Sequence, residues 1–255
     1  MSPTINKSMN GKVVLVVGGA GSIGAVSAAR FAELGARVAI SHRDGAEEAA
    51  AAAKVMQSLP GEGHAALVAD VMRTETLKAL RAEIERRYGR LDVLINAAGF
   101  TKPVPHADLE ALDDDLIDRM FAVNWRGQFA TIRAFAPLLK ASGDGLIVSI
   151  SSIAGTNGIG SSIAYCAAKA GIDVMTKSLA RVLAPEVRVL AVAPGVVDTS
   201  FVPGRGADFN TKTAATTPLK RIATPEDIAS AILACATQLG FATGTTFVVD
   251  GGRSL

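Results

Sequence analysis

A chain of 255 residues with a formal net charge of +2 and a pI near 8.6 is long enough for a large buried core and too weakly basic to mark a nucleic-acid protein. Nearly half of its residues are hydrophobic but only 5% are aromatic, so Ala, Val, Ile and Gly carry the apolar fraction, a composition suited to strands packed closely under helices. Cys166 and Cys235 form no C-x-x-C, and His42, His64 and His106 share no ligand spacing, which argues against a disulfide framework and against a metal site.

Met1 to Asn10 is polar, lacks the apolar core of a secretory signal, and reads as a flexible N-terminal extension. Lys12 to Val17 is an apolar, β-branched run, as expected of a buried parallel strand. It leads into Gly18-Gly19-Ala20-Gly21-Ser22-Ile23-Gly24 and then into a helical stretch, Ala25 to Leu34. Gly19 to Gly24 is literally G-x-G-x-x-G between a strand and a helix. Glycines let the backbone turn sharply there, and the helix N-terminus offers N–H groups and a positive dipole end to a pyrophosphate.

The alternation continues along the chain. Strands are expected at Ala36–Ser41, His64–Ala69, Leu91–Ile95, Leu146–Ile150, Val187–Val192 and Thr246–Val249. Helices are expected at Gly45–Ser58, Thr74–Tyr88, Ser162–Leu183 and Pro225–Leu239, with one long helical region from Asp113 to Lys140. Such a pattern predicts one α/β domain over residues 1–255: a Rossmann-type, doubly wound, mostly seven-stranded parallel sheet with helices on both faces. Gly145 to Ala168 carries no charge over a length that could cross a bilayer. It is rich in Gly, Ser, Thr and Asn, however, and reads as a strand followed by an active-site loop. The expectation is a cytoplasmic protein with neither membrane nor nucleic-acid partners.

Tyr165-Cys166-Ala167-Ala168-Lys169 puts a phenol and an ammonium on one face of a helix, about one turn apart. The ammonium's field favours the phenolate, so the tyrosine's pKa is expected to fall from ~10 towards working pH. A tyrosine tuned in this way can exchange a proton with an alcohol or carbonyl oxygen. The spacing alone is common in helices; a dinucleotide loop in the same chain gives it meaning.

Together, the glycine loop, Asn96-Ala97-Ala98-Gly99, Ser152 thirteen residues before the tyrosine, Tyr165-x-x-x-Lys169 and Pro194-Gly195 resemble the short-chain dehydrogenase/reductase family. The match runs in order from about Gly11 to Gly252. The resemblance implies an NAD(P)-dependent oxidoreductase acting on CH–OH groups, commonly a homotetramer or homodimer. Carried over by position, Ser152 is similar to the serine that hydrogen-bonds the substrate oxygen and Tyr165 to the general acid/base. Lys169 is similar to the residue that lowers the tyrosine's pKa and holds the nicotinamide ribose. Asn124 resembles the asparagine supporting a water relay behind the lysine. By the same resemblance Gly18, Gly21, Ser22, Ile23 and Gly24 hold the pyrophosphate and Asp70-Val71 meets the adenine. Asn96, Ala97, Ala98 and Gly99 line the cofactor cleft, while Pro194, Gly195, Val197 and Thr199 meet the nicotinamide end. Two departures stand out. Val17 replaces the family's usual Thr, and Ser22 its usual middle glycine, so that Gly18, Gly21 and Gly24 take the spacing of the family's longer-chain branch.

At the end of the second strand, Ile40-Ser41-His42-Arg43-Asp44 lacks the carboxylate that NAD-preferring relatives keep at position 42. Ser41, His42 and Arg43 all offer donors to a 2′-phosphate, which favours NADP(H) while leaving NAD(H) open. The plainer alternative is that Arg43 is a solvated loop cation paired with Asp44. The expected chemistry interconverts a ketone and a secondary alcohol, in the manner of a 3-ketoacyl reductase or a broad carbonyl reductase/alcohol dehydrogenase. Two others remain open: a catalytically silent NAD(P)-binding sensor or scaffold, and a dehydratase or epimerase using the same tyrosine. Residues 200–217 have the composition of a substrate lid. Arg205 or Lys102 would meet an anionic substrate if not simply solvated. The helices from Asp113 and from Ser162 are apolar on more than one side, and the resemblance suggests that they pair across a two-fold axis.

Overall fold

The computed structural model describes residues 8–204, 206 and 208–255. Seven strands, β1 (Val13–Val17), β2 (Arg37–His42), β3 (Ala65–Val68), β4 (Val93–Asn96), β5 (Gly145–Ile150), β6 (Val187–Pro194) and β7 (Thr246–Val249), form one sheet in the order β3-β2-β1-β4-β5-β6-β7. Every pairing is parallel. β1 is completely buried along its length, as a strand covered on both faces must be.

Side chains alternate between two cores, the period of two that a pleated strand imposes. Val14, Val16, Val38, Ile40, Ile95 and Val148 pack under α1 (Ser22–Glu33) and α9 (Pro225–Thr237). Val13, Leu15, Val17, Ala39, Leu94 and Ile147 pack on the opposite face. That face is covered by α3 (Thr74–Tyr88), α5 (Gly127–Ala141) and α7 (Ile163–Leu183). The remaining helices are α2 (Ala46–Ser58), α4 (Asp114–Phe121), α6 (Ala154–Asn157) and α8 (Phe209–Thr216). This is the doubly wound, Rossmann-like arrangement expected. The chain reverses its winding direction between β1 and β4, so a crevice opens beyond the carboxyl ends of those strands.

Several details differ from the expectation. Met9 is buried in the core and its N–H donates to Leu34 O at 3.0 Å, so the end of the supposed extension over 1–10 is docked; residues 1–7 lie outside the described residues. α1 begins at Ser22, inside the glycine loop, because Gly21 with extended backbone (φ −80°, ψ 164°) serves as its N-cap. The long helical region from Asp113 is interrupted by a π-helical turn, Ala122–Arg126. Residues 200–217 contain α8, and Arg205, one of the two expected anion contacts, lies outside the described residues.

Candidate active site

A cleft of about 1280 Å³ runs along the carboxyl edge of the sheet. It is lined from one end by Ser41, His42, Arg43 and Asp70, in the middle by Gly18 and Gly21–Gly24, and at the other end by Ser152, Tyr165 and Lys169. Val71, Ala97, Ala98, Gly99, Pro194, Gly195, Val197 and Thr199 also line it. Asn96 and Asn124 do not; both are buried behind the lining.

The glycine turn is packed against its own surroundings. Gly18 has φ +77°, and a Cβ there would lie 2.6 Å from Ala98 N. A Cβ on Gly24 would lie 2.5 Å from Gly18 O, so only glycine lets α1 start this close to β1. Gly21 has just one neighbour within reach, Gly18 O at 3.4 Å, and faces the cleft. Among the described residues no side chain caps α1 and no acidic residue occupies its first turn; Asp113, Ser162 and Thr224 cap α4, α7 and α9, while α2, α3, α5, α6 and α8 lack a side-chain cap as α1 does. First-turn N–H groups have no acceptor within their own helix. An uncapped, acid-free helix N-terminus opening into a cleft fits the pyrophosphate of a dinucleotide.

At the far end, α7 carries Tyr165 and Lys169. Ser162 caps the helix, accepting from Tyr165 N at 3.2 Å. Lys169 is buried (3% exposed) and donates from Nζ to Ile150 O at 2.7 Å. Its ammonium lies 5.6 Å from the centroid of the Tyr165 ring. Burial lowers the lysine's pKa from 10.5 to about 8, partly opposed by Asp173 one turn on. Phe201 packs at a tilt against the tyrosine ring, 6.3 Å between centroids.

The serines beside β5 separate by environment. Ser151 is buried and donates to Lys169 O at 3.2 Å, Ser149 accepts from Asn96 Nδ2 at 3.5 Å, and Ser161 shares a hydrogen bond with Thr101. Ser152 lines the cleft, half-buried, with its hydroxyl oxygen accepting from the nearby Ala154 N at 3.2 Å. Two tethers place it: Ile153 N donates to Pro194 O at 3.1 Å, and α6 lies directly on α7. The second contact requires Gly155, where a Cβ would sit 2.6 Å from Ala170 N.

Asn124 sits in the π turn. Its Nδ2 donates to Met120 O at 2.9 Å and to Phe100 O at 2.8 Å, and its Oδ1 accepts from Phe100 N at 3.2 Å. A π turn shifts the ladder by one residue, and the asparagine amide takes up the carbonyl four residues back. The side chain thereby clamps the strand-end loop just after Gly99. The same turn places Trp125 against α7, its Nε1 donating to Gly171 O at 3.2 Å.

At the adenosine end, Asp70 Oδ1 accepts from Met72 N at 2.9 Å, holding the turn after β3. His42 Nδ1 lies 2.8 Å from Arg43 O. Arg43 is not paired with Asp44. Its Nη2 reaches Glu48 Oε1 at 2.6 Å, and Glu47 and Glu48 both line the cleft. The other expected anion contact, Lys102, is exposed and outside the cleft lining; Arg119 lines it instead, 4.3 Å above the Phe100 ring.

The chain is similar over almost its whole length to proteins of one family. The family model described as enoyl-(acyl carrier protein) reductase matches residues 18–254. A Streptomyces violaceoruber protein named as a ketoacyl reductase of granaticin polyketide synthase is 37% identical, over 95% of this chain and 96% of its own length. Cis-4-hydroxycyclohexanecarboxylate dehydrogenase of Sinomonas cyclohexanicum is also 37% identical, over 94% and 96%. The crystal structure of a short-chain dehydrogenase/reductase from Burkholderia xenovorans matches with a TM-score of 0.89 at 35% identity, covering 97% of this chain and 99% of that one. The chain belongs to the short-chain dehydrogenase/reductase family and is an oxidoreductase acting on CH–OH groups.

Proposed function

We propose that the chain is an NADP(H)-dependent oxidoreductase that interconverts a ketone and a secondary alcohol, with Tyr165 as general acid/base. The observation that carries this reading is the buried Lys169 ammonium beside the Tyr165 ring, at the end of a cleft that also holds an uncapped helix N-terminus. A nicotinamide dinucleotide supplies the hydride when bound. The glycine turn and the first turn of α1 hold the pyrophosphate, Asp70 and Val71 flank the adenine, and His42 and Arg43 meet the 2′-phosphate. Asn96 to Gly99 support the middle of the cofactor, and Pro194, Gly195, Val197 and Thr199 hold the nicotinamide end. Lys169 and Tyr165 bind the nicotinamide ribose.

In reduction, Ser152 and Tyr165 hydrogen-bond the carbonyl oxygen, and Tyr165 donates its proton as negative charge builds there. In oxidation the tyrosinate accepts the alcohol proton. The Lys169 cation favours the tyrosinate in both directions, and its own N–H bond to Ile150 O fixes where that charge sits. Donors aimed at a developing oxyanion are typically worth about 3 kcal/mol each. Asn124 acts by positioning, through the Phe100 backbone.

A homotetramer or homodimer suits the outer surface of α7, where Ile163, Val174 and Val182 are exposed, Val174 at 62% and Val182 at 65%. Two free, buried cysteines suit the reducing cytoplasm. Among relatives, one from Thermotoga maritima, 32% identical over 96% of this chain, is named a 3-oxoacyl-(acyl-carrier-protein) reductase. With the ketoacyl reductase above, it directs the first substrate screen to 3-ketoacyl thioesters, followed by cyclic ketones. The test is consumption of NADPH, followed by its absorbance, with each ketone. No oxidation of NADPH or NADH with any ketone, together with no reduction of either cofactor by the matching alcohols, would refute the reading.

A further inference from the structure

Of the donors on which a preference for NADP(H) rests, Ser41, His42 and Arg43, the arginine carries the fixed charge, yet its guanidinium already has an anion. Glu48 Oε1 lies 2.6 Å from Arg43 Nη2, and Glu48 stands in the first turn of α2, where the helix dipole favours a carboxylate. The carboxylate folds back over the β2–α2 loop. Gly45 has φ +149°, and a Cβ there would lie 2.4 Å from Glu48 Oε2, so the absent side chain at Gly45 makes room for Glu48 to reach its partner. Glu48 is the more enclosed of the pair, at 30% side-chain exposure against 66% for Arg43. Both line the cleft beside Ser41 and His42.

We propose that Glu48 sets the cofactor preference of this chain by competing with a 2′-phosphate for Arg43. The inference rests on the reading that a dinucleotide occupies this cleft with its adenosine ribose at the end of β2. A 2′-phosphate can engage Arg43 only by displacing the Glu48 carboxylate or by sharing the guanidinium with it at close like-charge approach. A cofactor lacking that phosphate leaves the pair intact. Arg43 and Glu48 together therefore narrow the discrimination that Arg43 alone would give, and NAD(H) remains usable. Glu47 also lines the cleft but makes no ion pair with Arg43 among the described residues, so it serves as the control for a general field effect.

The experiment is a binding cycle on the full chain, with dissociation constants for NADPH and NADH measured by calorimetry. The proteins are the wild type, Glu48→Gln, Glu47→Gln, Arg43→Gln and the Arg43→Gln/Glu48→Gln pair, with melting curves to confirm folding. The expected result is that Glu48→Gln tightens NADPH by about two- to fivefold, the range of an exposed ion pair, and changes NADH by less. Glu47→Gln has a smaller effect, and the Glu48→Gln gain disappears when Arg43 is already glutamine. An unchanged NADPH:NADH ratio in Glu48→Gln, or an equal gain without Arg43, overturns the proposal. A wild type that prefers NADH contradicts the NADP(H) reading alone, because the ratio shift is read from either starting point.

Discussion

The two ends of the cleft use the same kind of pairing under opposite conditions. At the catalytic end, Lys169 is buried, makes a short hydrogen bond to Ile150 O, and lies under a tyrosine ring. At the adenosine end, Arg43 on the loop after β2 meets Glu48 in the first turn of α2, with the guanidinium open to water. Charge in a water-excluded site acts strongly on its neighbours, whereas an exposed pair is screened and worth little. Chemistry is therefore expected to depend steeply on single residues at one end, and cofactor preference to be graded and easily retuned at the other.

The sharpest way to break that contrast is Tyr165→Phe. Turnover should fall by about 10²–10⁴-fold, the usual worth of general acid–base catalysis, while NADPH affinity measured by calorimetry changes little. Near wild-type rates would place the proton elsewhere.

Asn124→Ala tests the bracing beneath the catalytic end. It removes three hydrogen bonds of a fully buried side chain and should cost about 3 kcal/mol in denaturant unfolding. Because Phe100 loses its clamp, kcat should fall more than KM rises; an unchanged unfolding midpoint would show that the clamp is not what holds the π turn.

Lys169→Met keeps the length and removes the charge. The folded-state pKa of about 8 lies below the unfolded 10.5, so between those values the unfolded chain binds more protons. The wild type's unfolding free energy should therefore rise with pH across that window and be lowest, in this contribution, below pH 8. The methionine variant should lack the rise. Parallel pH curves would mean that the ammonium is solvated.

The smallest effect belongs to the open end. Arg43→Gln should weaken NADPH by about two- to tenfold and leave NADH within about twofold. A loss approaching that of the catalytic variants would erase the distinction between the two ends.

What the sequence displays follows the same division. A buried parallel strand must be apolar throughout, and a turn pressed against Ala98 N must be glycine, so β1, its loop and the succession of strands and helices along the chain can be read from residue types. Tyr165 and Lys169 are legible because helical spacing fixes their common face. Ser152 is not distinguished from Ser151 by any local pattern; a backbone acceptor at Lys169 and the approach of α6 at Gly155 decide which hydroxyl faces the cleft. The π turn at Asn124 has no spacing signal, since it depends on the asparagine finding Met120 and Phe100 carbonyls together. The Arg43–Glu48 pair spans a loop and a helix start, five residues apart, where neither helical nor strand periodicity applies; Asp44, adjacent in sequence, was the more obvious partner.

The chain has two tyrosines, which makes the central electrostatic claim directly measurable. Burial pushes the Tyr88 phenol above 10, ahead of the opposing influence of Arg87 and Arg37. An ultraviolet titration of tyrosinate absorbance in the NADP⁺-bound protein should show two steps, the lower one below the ordinary tyrosine range. That step should vanish in Tyr165→Phe and move upward in Lys169→Met, with the Tyr88 step unchanged. Two phenols titrating together above pH 10, or a lower step indifferent to Lys169, would contradict the account.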